Sequence, residues 1–159
     1  MKKILFLAFF ISKIAFSQES TLKNPEINND SSEVPFAEIE QVPIYKGCSK
    51  NFNNVQLKKC MSDGISKHIT KKFNLNVAKG LGLPDGKVRI NVIFKINKKG
   101  EVVDIKTKAP HSELEKEAYR VVKMIPKLKA PGYQKGKPVI VPYSLPLIFN
   151  IDNSKYKKK

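Results

Sequence analysis

The sequence predicts an α+β fold: a three-stranded antiparallel sheet, made of one hairpin and a C-terminal strand, covered by two helices. Three observations carry this. Residues 88–107 read as two alternating strands around Asn97-Lys98-Lys99-Gly100. Two stretches, 54–73 and 112–125, repeat apolar residues at helical spacing. Residues 139–151 place an apolar or aromatic side chain at every odd position: Val139, Val141, Tyr143, Leu145, Leu147, Phe149 and Ile151.

In chain order, residues 1–17 read as a secretory signal peptide. Lys2 and Lys3 precede an apolar run, and Ala15-Phe16-Ser17 forms a small-residue cleavage motif, so the mature chain is expected to begin at Gln18. The run is shorter than the roughly 20 apolar residues that a membrane span needs. Residues 18–34 are polar, with Pro25 as the one rigid point, and read as a disordered tether. The globular domain is expected over 35–151, and a basic tail over 152–159, where Tyr156 lies among lysines.

The lead-in from Pro35 to Tyr45 is extended and bounded by prolines. The helix at 54–73 buries Leu57, Met61, Ile65, Ile69 and Phe73; Gly64 within it costs about 1 kcal/mol of helix propensity. His68 lies near that face and reads as a partly buried, hydrogen-bonded side chain. Cys48 and Cys60 form an even pair in an exported chain and are expected to make a disulfide, stabilising the fold by about 3 kcal/mol in the chain-entropy model. Gly100 suits the left-handed position of the hairpin loop. Ser112 and Glu115 fit a capping box opening the second helix, whose stripe is Leu114, Ala118, Val121, Val122 and Ile125 before Pro126 stops it. His111, just outside, has a helix-entry role.

The final strand carries Pro142 and Pro146 on its even side. Proline has no N–H to give a ladder. Neighbouring residues of a strand turn their backbone groups to opposite edges, so the odd residues are expected to pair inward and the even ones to form the outer edge. Donors on that edge would be Ile140, Ser144, Ile148 and Asn150.

The formal charge is +16, yet Arg89 and Arg120 are the only arginines. Base readout and phosphate clamping favour arginine, and no basic helix or aromatic-basic interleaving would lay a stripe along a nucleic-acid backbone, so no nucleic-acid partner is expected. The lysines read as a solvated surface, with cell wall or an anionic lipid surface as the functional alternative. Two cysteines and two distant histidines cannot build a metal centre. No nucleophile elbow, phosphate-binding glycine loop or H-E-x-x-H motif occurs. The chain is expected to be no enzyme and to use no cofactor.

Several segments, in their order and spacing, resemble the C-terminal domain of TonB-type energy transducers. They are Val34-Pro35-Phe36 through Val42-Pro43-Ile44-Tyr45-Lys46-Gly47-Cys48; residues 88–100 with Ile105; Leu114-Glu115-Lys116-Glu117-Ala118; and Pro131-Gly132 through Gly136-Lys137-Pro138-Val139 to Leu145-Pro146-Leu147-Ile148-Phe149. The resemblance implies a sheet with helices packed on one face, a periplasmic location and TonB-dependent transport. Its implied partner is a TonB-dependent outer-membrane receptor or another envelope protein, whose extended segment adds as a strand beside the last strand of the domain. Carried onto this chain, the partner-binding residues are Val139, Ile140, Val141, Tyr143, Ser144, Leu145, Ile148 and Asn150. A full transducer keeps an N-terminal membrane helix and a long proline-rich spacer. The short polar tether here departs from that pattern; an uncleaved leader would instead make the protein a short transducer anchored in the inner membrane. An exposed strand edge also leaves a homodimer open.

Overall fold

The structure of the protein, a computed structural model, describes residues 33–153. The signal peptide at 1–17, most of the tether and the lysine tail from residue 154 lie outside the described residues.

Helix α1 (Asn54–Lys72) opens on a capping box: the Gln56 N–H donates to the Asn53 side chain, and the Asn53 N–H donates to the Gln56 side chain. This satisfies two of the donors that a helix N-terminus orphans. Leu57, Met61, Ile65 and Ile69 are buried as the spacing predicts. Gly64 has a packing reason: a Cβ there would stand 2.5 Å from the Tyr45 ring, so only glycine lets the ring lie against the helix. His68 is half-buried, its Nε2–H donating to the Val121 carbonyl at 3.3 Å.

A single 3-10 turn at Leu75–Ala78 leads to strands β1 (Gly86–Ile96) and β2 (Val102–Lys108). They pair antiparallel through the expected loop, in which Gly100 has φ 79°. Between Ile93 and Lys95 the register slips by one residue, with β1 advancing two positions while β2 advances three. The extra residue therefore sits on β2, where Asp104 takes φ 51°. This is a β-bulge, and aspartate tolerates the left-handed region better than most residues do.

Helix α2 (Ser112–Lys123) buries the whole predicted stripe, with Ile125 just beyond its end. Its cap differs from the expectation. His111, not Ser112, is the N-cap, with the Glu113 N–H donating to Nδ1 at 3.2 Å. Glu115 reaches back to the Ala109 N–H rather than to Ser112. The chain turns into the helix one residue earlier than the motif suggested.

The run 126–138, read from sequence as turn-rich, together with Val139, which was expected to begin the final strand, contains a small hairpin of β3 (Gly132–Gln134) and β4 (Lys137–Val139). Its two-residue turn places Lys135 at φ 49° and Gly136 at φ 70°, the positive pair of a type I′ turn. A Cβ on Gly132 would meet Ile39 and Val141 at 2.5 and 2.6 Å, so the hairpin packs directly on the core.

Strand β5 (Val141–Ile151) runs antiparallel to β1, giving the sheet order β2-β1-β5. The central strand β1 buries Val88, Ile90, Val92, Phe94 and Ile96 against the helices and lead-in, in one cluster with Ile39, Val42, Met61, Ile65 and Val121. The α+β expectation, two helices over a three-stranded antiparallel sheet, is what the structure shows. Cys48 and Cys60 form the expected disulfide, with Cα atoms 6.0 Å apart, joining the lead-in to α1.

Candidate functional site

The backbone parity of the sheet decides what the β5 edge offers. At the hairpin the Asn97 N–H donates to the Glu101 carbonyl, so odd positions of β1 turn their backbone groups toward β2. Because the bulge lies on β2, β1 keeps this parity, and its even positions face β5. Their partners are Val141, Tyr143, Leu145, Leu147 and Phe149, in a register unbroken from residue 141 to 151. The even residues of β5 therefore turn outward, as the prolines required. Among the described residues, no strand pairs with that outer edge beyond Ile140, which meets Glu33 in a parallel bridge. The Val34 N–H donates to the Ile140 carbonyl at 2.9 Å, so this end of the edge is already engaged.

The eight residues singled out from sequence divide accordingly. Val139 lies in β4, buried and paired with Gly132. Val141 and Tyr143 are buried in the core; the Tyr143 hydroxyl donates to Ser62 Oγ at 2.8 Å, and burial raises its pKa. Ser144, Ile148 and Asn150 are exposed on the outer edge, and Leu145 is half-buried on the helix side.

That helix side forms a groove of about 370 Å³. One wall is α1 and the chain after it: Ser66, Ile69, Thr70, Phe73 and Leu75. The other is β5, from Leu145 to Phe149. The Phe73 and Phe149 rings are 5.6 Å apart at its base. The helix-side wall was not legible as a site, since residues 69 and 73 announced themselves only as helix face. The loop carrying Phe73 and Leu75 is fixed by Glu117. This carboxylate, 7% exposed, accepts from the Asn74 N–H at 2.7 Å and from the Arg120 guanidinium. Arg120 also donates to the Lys72 carbonyl. The hydrogen bonds from Arg120 hold the Glu117 pKa below the usual carboxylate range against the opposing effect of burial.

Nothing in this arrangement resembles a reaction centre: the groove is lined by apolar and hydroxyl side chains. Among the described residues no group of His, Cys, Asp and Glu could hold a metal ion, and no helix is long and apolar enough to cross a membrane. What the site offers is backbone hydrogen-bonding groups beside an apolar trough.

A search of curated proteins finds no match. Residues 85–151 match the family model described as Gram-negative bacterial TonB protein C-terminal. That span covers the turn before β1 through the end of β5; the lead-in and α1 lie outside it. The family consists of interaction domains of energy transducers rather than enzymes, and it points to the cell envelope and TonB-dependent transport. Over its sheet and second helix, residues 85–151, the chain is similar to the TonB C-terminal domain family.

Proposed function

We propose that this protein is a periplasmic docking module that binds an extended segment of an outer-membrane receptor, or of another envelope protein, as an added strand on the outer edge of β5. The observation that carries the reading is the β5 edge, regular over eleven residues and unpaired among the described residues, lying beside an apolar groove. Backbone pairing supplies affinity that is largely independent of sequence, and the groove receives alternate side chains. Pro142 and Pro146 restrict the ladder: the free N–H donors are those of Ser144, Ile148 and Asn150. The even-position carbonyls remain available as acceptors, so pairing is densest between residues 144 and 150.

Titrating the isotopically labelled protein with receptor-derived peptides, followed by NMR, is expected to shift amide resonances along 139–150. Ser144→Pro removes a donor from the outer edge and breaks no pairing to β1, so the fold should survive while peptide affinity falls at least tenfold, about the worth of one charge-free hydrogen bond and its neighbours. Shifts confined to other regions, or unchanged affinity in the Ser144→Pro variant, would sink the edge reading.

A further inference from the structure

The two sides of the β5 edge are chemically different, and any strand added there meets both. Residues of an added strand that lie beside Leu145, Leu147 and Phe149 turn their side chains to the helix side, into the apolar groove. Those beside Ser144, Pro146, Ile148 and Asn150 turn to the opposite, helix-free face. That face is cationic. Opposite residues of paired strands share a face, so the register puts Lys87, Arg89 and Lys95 of β1 there with Lys106 and Lys108 of β2. Lys95 is neutralised by Glu33 and Asp104, and Lys108 by Glu115. Lys87, Arg89 and Lys106 are exposed and have no ion pair among the described residues. Lys87 and Arg89 lie directly across from Asn150 and Ile148, where the free donors of the edge are concentrated.

On the basis of the strand-addition reading, we propose that the segment this edge accepts alternates apolar with acidic residues, its apolar side chains in the groove and its carboxylates over the helix-free face toward Lys87 and Arg89. An added strand lies two spacings, about 10 Å, from β1. Long side chains reaching across Ile148 and Asn150 from one side, and a glutamate from the other, span that gap. The groove fixes which phase of the alternation is apolar, and the cations fix the sign of the other phase.

Three synthetic peptides of equal length that alternate valine with glutamate, serine or lysine test this on the full chain. The expected order of affinity is glutamate, then serine, then lysine. Glutamate should exceed serine by about tenfold at low salt, as two partly screened ion pairs would give, and the gap should narrow as salt rises. The double variant Lys87→Glu/Arg89→Glu should erase or invert the order. Lys98→Glu/Lys99→Glu, which changes net charge equally at the hairpin tip, should preserve it. Equal affinities with shifts along 139–150 would overturn the acidic preference and leave strand addition standing. A preference that both double variants abolish alike would reduce it to attraction by overall charge, which also overturns the proposal. Failure of every peptide to shift residues 139–150 would overturn the docking edge and this inference together.

Discussion

The sheet has two outer edges, and they are built differently. The β2 edge belongs to a strand of seven residues, bent by the bulge at Asp104 and carrying Lys106 and Lys108. Short length, a bulge and lysines are the means by which proteins discourage strangers from pairing with an edge. The Thr107 hydroxyl and the Ala109 N–H are further tied to Glu115 of α2, so this end of β2 is held by its own helix. The β5 edge is longer and regular, with no charged side chain between residues 141 and 151. It is guarded only by two prolines, which remove single donors and leave carbonyls free. One edge is closed by geometry and charge together; the other is filtered. A domain with one filtered edge can accept a strand in one place without becoming a site of open-ended polymerisation.

The largest perturbation should break both edges at once. Phe94 is fully buried on the central strand β1, near its C-terminal end, its ring 5.3 Å from that of Tyr143. Phe94→Ala is expected to cost about 4 kcal/mol, read as a lower urea midpoint with unchanged slope. A smaller change should separate the edges. Glu117→Gln removes the charge that holds Arg120 and the loop carrying Phe73 and Leu75, at a cost of about 2 kcal/mol. It should weaken peptide binding at β5 while amide-exchange protection in β2 falls no more than globally. The same residue gives a pH signature. Its pKa is lower folded than unfolded, so its contribution is fully present above the unfolded value of about 4.3. That contribution is lost as pH falls through the lower folded pKa. Acid stability curves of the wild type and Glu117→Gln should therefore converge toward low pH; parallel curves would remove Glu117 from the account. The smallest effect is expected at the bulge. Asp104→Val forces a β-branched residue toward positive φ and should cost about 1 kcal/mol, loosening β2 near residues 103–105 without altering peptide affinity at β5.

Much of this contrast could be read in the sequence. The alternation at 88–96, the Gly100 loop and the α2 stripe placed the sheet and its cover, and Pro142 with Pro146 set the outward parity of β5 before any register was known. What escaped depended on tertiary contact or on unusual backbone. Lys135-Gly136 makes a type I′ turn without the asparagine or aspartate that usually marks one, so β3 and β4 passed as a loop. His111 took a capping position because Glu115 was drawn to Ala109 and Lys108. The bulge at Asp104 puts Val102 rather than Val103 on the core side with Ile105; with valine at both positions, the sequence pattern gave no sign of it. The groove joins residues from α1 and β5 that are some eighty positions apart, a pairing that periodicity does not encode.

The disulfide has a mechanical consequence. The described chain enters beside Ile140, crosses to pair at Gln41 and Ile44, and is then bonded from Cys48 to Cys60 inside α1. A pull applied at Glu33 would first break its ion pair with Lys95 and the Val34 hydrogen bond to Ile140, and the bridges at 41 and 44 next. It would then arrive at α1 through the covalent link, with residues 49–59 bypassed and unable to pay out as slack. Load would pass from the entering chain to the helix that forms one wall of the groove, along a path shorter by the loop that the two cysteines close.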